Sequence, residues 1–175
     1  KPNPWTSEHD VADYGEQRLK PIRVPEFVDF YQYLTNTENR NSESDRQLDE
    51  ILSVTDCENV IFGGQSFGGI TSWMASTKLA EEDNGRLKGL VLLDPWFGCL
   101  DPEELRAMQW SKPGLFLSSE VWMKEKRHFT KCTQIVMSKG LHKDSVWEYG
   151  EKFTHFDSAD VPIWGPSWMT GCRKM

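Results

Sequence analysis

The chain has 175 residues, with 38% hydrophobic and 27% charged side chains, which is the composition of one ordinary compact domain. A formal charge of -7 and the lack of a basic stripe argue against nucleic acid as a partner. No apolar run approaches the roughly 20 residues of a membrane-spanning helix, and the four cysteines (Cys57, Cys99, Cys132, Cys172) have no zinc-ligand spacing among themselves or with histidine. Their even number permits disulfides, but buried free thiols are as well supported. There is no Asn-x-Ser/Thr sequon. Most of the eight tryptophans are expected to anchor core and loops.

Residues 1–26 carry Pro2, Pro4, Pro21 and Pro25 without a sustained period, and read as an irregular segment. "EFVDFYQYLT" sets Phe27, Phe30, Tyr31 and Leu34 at helical spacing. After the turn-rich "TNTENRNSES", a second helix is expected over 45–53, with Leu48, Ile51 and Leu52 on one face. "NVIFGG" then suits a buried strand. Ile70, Trp73, Met74 and Thr77 follow at i, i+3, i+4 and i+7, predicting a helix over 67–80. "LKGLVLLD" and "KPGLFLSSE" are further apolar runs. "VWMKEKRHFTKCTQIVMSKG" reads as a surface helix stopped by Gly140, and "DSVWEYG" as a last strand.

Short apolar runs alternating with helices indicate an α/β protein with a parallel sheet. About four strands are visible, and the chain opens at Lys1. The expected architecture is therefore one domain over 1–175 forming the carboxy-terminal part of a larger doubly wound sheet. No signal or transit peptide stands at the amino end, and both secreted and cytoplasmic locations stay open.

The strand-to-helix passage holds Gly64-Gln65-Ser66-Phe67-Gly68. G-x-S-x-G between a buried strand and a helix is the pattern of a nucleophile elbow. The serine sits in a strained turn, and Gly64 and Gly68 are expected to let strand and helix pass closely without a Cβ. At the helix amino end the Phe67 N–H is placed to donate to a developing oxyanion. The five-residue pattern alone arises by chance in about one chain in twenty of this length. An inert glycine-rich turn is the bland alternative. A phosphate loop is disfavoured, because G-x-x-x-x-G-K-[ST] is absent.

An elbow serine needs an acid and a base, in the chain order Ser, Asp/Glu, His. Asp94 stands where "GLVLLDPWFG" leaves its strand, and an acid ending a buried strand needs a partner for its charge. Asp101 looks instead like the N-cap of "PEELRAM". Of the four histidines, His9 precedes the elbow, His128 falls inside a helix and His142 in a lysine-flanked turn. His155 follows the last strand in a loop, the position expected of the base.

These segments resemble the platelet-activating factor acetylhydrolases of the plasma and intracellular type II kind. The resemblance rests on "GQSFGG", "LVLLDPWF", "PGLFLSSE" and "THFDSADVP", with a weaker match in "NRNSESDRQLDEI", and spans roughly residues 39–168. It implies an α/β-hydrolase fold and calcium-independent hydrolysis of a short or oxidised sn-2 acyl group of a phospholipid, at a membrane or lipoprotein interface and without metal or cofactor. By matching motif, Ser66 is the nucleophile, Asp94 the acid and His155 the base. Three features depart from the family: Gln65 stands where His is common, Pro95 follows the acid, and "SKGLHKDS" lengthens the last connection. No glycine-rich loop before Asn59 offers a second oxyanion donor. Two other readings are a general carboxylesterase or lipase-like hydrolase, and a non-catalytic relative that binds lipid or protein.

Overall fold

The computed structural model describes residues 13–36, 43–79, 85–108, 112–120, 123, 128–138 and 141–155. Four strands form one parallel sheet in the order β1-β2-β3-β4: Val60–Gln65 (β1), Leu87–Leu93 (β2), Gly114–Ser119 (β3) and Val146–Gly150 (β4). Helices flank it: Val24–Thr35 (α1), Glu43–Leu52 (α2), Phe67–Leu79 (α3), Pro102–Ala107 (α4) and His128–Ser138 (α5). Because neighbouring strands run in the same direction, their carboxyl ends lie along one edge of the sheet. In open parallel sheets ligands bind at that edge.

The core follows from the apolar runs. Leu90, Leu92 and Phe116 in the two central strands are buried, as are Ile70, Trp73 and Leu79 on α3. Phe116 stacks on Trp147 of β4 at 4.6 Å between ring centroids. Phe27 and Tyr31 of α1 meet Phe62 of β1 edge-on at 4.8 and 5.1 Å, fastening the helix to the edge strand. Some apolar periodicity does not translate into burial. Phe30 on α1 and Ile51 on α2 are 58% and 62% exposed, and Thr77 on α3 also faces outward.

The expectation of an irregular segment over 1–26 fails where it can be examined. Residues 13–14 are helical, Gly15–Arg23 forms a π-helix with Pro21 inside it, and the chain runs on directly into α1. Pro21 cannot donate to an α-helical ladder, and its ring would crowd the carbonyl four residues earlier. A turn widened to i→i+5 relaxes that conflict; the Val24 N–H accordingly reaches the Leu19 carbonyl. Tertiary contact supplies the rest. Leu19 is fully buried, and a Cβ on Gly15 would sit 1.9 Å from the Cys99 carbonyl oxygen, so only glycine allows this approach.

Lys20 bridges Glu16 and Glu104, tying the same segment to α4. Burial works to lower the Lys20 ammonium, but the two carboxylates outweigh it and hold it above its ordinary value. Cys57, Cys99 and Cys132 are free thiols, and Cys172 lies outside the described residues. Burial pushes the Cys99 thiol up to about 12, which leaves it an inert core group. Among the described residues no His/Cys/Asp/Glu group could hold a metal ion, and no helix is long and apolar enough to cross a membrane.

Candidate active site

Three strand ends converge on one place. Ser66 follows β1 directly and adopts φ 53°, the left-handed region that a non-glycine residue occupies only under constraint. The constraint is visible. The Ser66 N–H donates to the Leu93 carbonyl at 2.9 Å, and its own carbonyl accepts from Gly69, Ile70 and Trp96 at 3.1, 3.3 and 2.9 Å. The serine backbone is thus pinned between α3 and the chain leaving β2. Such strain costs on the order of 1–3 kcal/mol and persists only where the surroundings over-determine it.

Asp94 repeats the device at the end of β2. It too is left-handed, at φ 44°, and its N–H donates to the Leu117 carbonyl at 2.8 Å. Its side chain is 1% exposed, yet both carboxylate oxygens are engaged. Oδ1 accepts from the Ser119 N–H at 2.6 Å, and Oδ2 lies 3.1 Å from His155 Nδ1. A neutral imidazole that donates to Oδ2 carries its proton on Nδ1 and its lone pair on Nε2. His155 is 20% exposed, so its ring is sheltered without being sealed.

The elbow glycines divide differently from the expectation. A Cβ on Gly64 would lie 2.3 Å from the Gly68 carbonyl oxygen, so that position requires glycine. Gly68, expected to share this role, has nothing within 4 Å of its would-be Cβ. Its open side faces a groove of about 440 Å³ whose walls include Phe27, Phe30 and Phe67. The tight position on the helix side is Gly69, where a Cβ would meet the Gly64 carbonyl and Pro95 at 3.1 Å. The second glycine of "FGG", not the first, is the one whose Cβ position faces the strand.

The Phe67 N–H belongs to the first turn of α3, ahead of the Gly69 and Ile70 N–H groups that donate to Ser66. First-turn N–H groups have no intrahelical acceptor and carry the positive end of the helix dipole. Tyr14, Phe67 and Trp96 cluster beside the elbow, with Tyr14 and Phe67 5.0 Å apart edge-on.

The remaining candidates fall elsewhere. Asp101 caps α4, accepting the Glu103 N–H at 2.7 Å. His142 sits in its own turn, accepting the Asp144 N–H at 3.2 Å. His128 opens α5, and His9 lies outside the described residues. Two contacts were not legible in the sequence. Gln65 Nε2 donates to the His155 carbonyl at 2.7 Å across 90 residues, and Glu120 Oε2 accepts the Lys152 N–H at 2.6 Å across 32. Neither pairing leaves a local signal.

Asp94 and His155 thus meet side chain to side chain, and Gln65, next to Ser66 on its left-handed turn, reaches the main chain of the same histidine. The family model described as platelet-activating factor acetylhydrolase, isoform II, matches residues 33–170. No curated protein gives a significant match.

Proposed function

The chain belongs to the platelet-activating factor acetylhydrolase, isoform II, family of α/β-hydrolases acting on ester bonds, and from that premise we propose that it is a serine esterase cleaving a short sn-2 acyl group from phospholipids. In this reading Ser66 Oγ attacks the ester carbonyl while His155 Nε2 takes its proton. Asp94 holds the imidazole in the required tautomer and stabilises the imidazolium. The Phe67 N–H stabilises the oxyanion. His155 then returns the proton to the departing lysophospholipid oxygen, and a water activated by the same base releases the acyl group from Ser66. Calcium independence belongs to the proposal through the resemblance to the family.

The observation that carries the reading is the Asp94–His155 contact, made by a fully buried carboxylate at the end of the strand beside the elbow. The phospholipid is supported by the family match and by the apolar groove along α3 and α1. We also read the chain as one domain and as the carboxy-terminal part of a larger sheet. Support comes from β1, an edge strand among the described residues, with Ile61 62% exposed.

The test compares hydrolysis of 1-alkyl-2-acetylglycerophosphocholine with that of a soluble acetyl ester, for the wild type and Ser66→Ala. The expected result is Ser66-dependent turnover with kcat/KM favouring the phospholipid. Equal or lower kcat/KM for the phospholipid makes the chain a general carboxylesterase. Turnover unchanged in Ser66→Ala would end the serine mechanism.

A further inference from the structure

His155 is held by the ends of three consecutive strands. Asp94, after β2, contacts Nδ1. Gln65, the last residue of β1, donates Nε2–H to the His155 main-chain carbonyl at 2.7 Å. Glu120, just past β3, grips the preceding turn twice: its N–H donates to the Phe153 carbonyl at 3.1 Å, and its Oε2 accepts the Lys152 N–H at 2.6 Å. The turn also closes on itself through the Phe153 N–H and the Gly150 carbonyl, and Lys152 adopts φ 60° within it. From these contacts we infer that Gln65 and Glu120 are positioning residues for the base: they fix the backbone that aims the His155 ring at Asp94. The inference rests on the reading of His155 as that base.

The physical need is plain. The histidine sits on a loop after an edge strand, and a loop free to drift would leave the imidazole out of register with the serine proton. Misplacement by about 1 Å costs on the order of 10²-fold in rate. A bond from a rigid strand end to the main chain of His155 restrains position without altering the ring. Gln65 is suited to this because it is adjacent in sequence to Ser66. One residue thereby links the backbone of the nucleophile to that of the base. Glu120 restrains the turn from the end of β3, which β2 separates from the elbow strand β1.

The experiment uses the full chain with ¹⁵N-labelled histidine, and variants Gln65→Leu, Glu120→Leu and Glu120→Gln. Gln65→Leu removes the donor and Glu120→Leu the acceptor, whereas Glu120→Gln keeps an oxygen for the Lys152 N–H. Two quantities are read: the low-field Nδ1–H resonance, identified by its absence in His155→Gln, and turnover of 1-alkyl-2-acetylglycerophosphocholine. The expected result for both leucine variants is a resonance broadened by exchange with solvent and kcat down about tenfold, the worth of one hydrogen bond. KM stays unchanged and Glu120→Gln behaves as wild type. If Gln65→Leu does not fold, the Glu120 pair decides alone, since Glu120 is only half-buried and its bond to Lys152 is exposed.

An unchanged resonance and kcat in the leucine variants, with turnover still dependent on Ser66, overturns the positioning role and leaves the esterase reading standing. If Ser66→Ala turns over like wild type, the esterase reading fails. The resonance alone then judges the restraint: lost in the leucine variants it is upheld, retained it is overturned.

Discussion

Asp94→Asn is expected to lower ester hydrolysis by about 10⁴-fold while leaving the protein folded. The asparagine is nearly the same size, and its Oδ1 retains the acceptor for the Ser119 N–H that Asp94 serves at 2.6 Å. Holding that bond turns the amide NH2 towards His155. The ring must then accept at Nδ1, which places its proton on Nε2, where the base needs a lone pair. The enzyme would keep its shape and carry the wrong tautomer. Hydrolysis rate and urea midpoint, measured together, check both halves. A fall of less than about tenfold with an unchanged midpoint would remove Asp94 from the mechanism. Collapse of the fold would show the residue to be chiefly structural, in keeping with its 1% exposure.

The second large effect concerns stability. Gly64→Ala is expected to destabilise the chain by about 3 kcal/mol or more, because the new Cβ meets the Gly68 carbonyl oxygen and carbon at 2.3 and 2.4 Å. Those are backbone atoms in the first turn of α3, and their movement would disturb the hydrogen bonds that hold Ser66 in its left-handed conformation. Gly68→Ala, four residues on, meets nothing within 4 Å. It should keep the fold or stabilise it by up to about 1 kcal/mol, since alanine is the better helix former. Urea unfolding of the two variants checks this contrast. Equal midpoints would mean that the elbow does not pack as described.

These two glycines show what a sequence conveys and what it withholds. The pentapeptide marks the elbow because the strand before it and the helix after it are both local patterns. Which glycine faces the strand depends on how α3 is seated against β1, and no one-dimensional spacing records that. Asp94 was legible for a similar reason, as an acid immediately after a buried apolar run. His155 was legible by chain order, since a loop after the last strand of a parallel sheet returns to the edge where the other strands end. The bonds from Gln65 and Glu120 were not legible, because each joins residues far apart and involves backbone atoms common to every residue.

The largest misreading concerns residues 13–26. Prolines at 21 and 25 suggest an interrupted chain, and the hydrophobic pattern is weak. The helix forms there because Gly15 approaches the Cys99 carbonyl, Leu19 enters the core and Lys20 reaches Glu104. The Cys99 and Glu104 contacts come from the connection after β2, over 80 residues away in sequence. The strands were the reverse case: Leu90, Leu92 and Phe116 announce their burial by composition alone, so the parallel sheet followed, though not its strand order.

The central claim is that Ser66 is an activated nucleophile. The most direct measurement is labelling with a fluorophosphonate probe, wild type against Ser66→Ala, with the modified peptide mapped. The account predicts a single phosphonylated site at Ser66, absent from the variant and reduced by Asp94→Asn. Labelling that maps elsewhere or that survives in Ser66→Ala would contradict it.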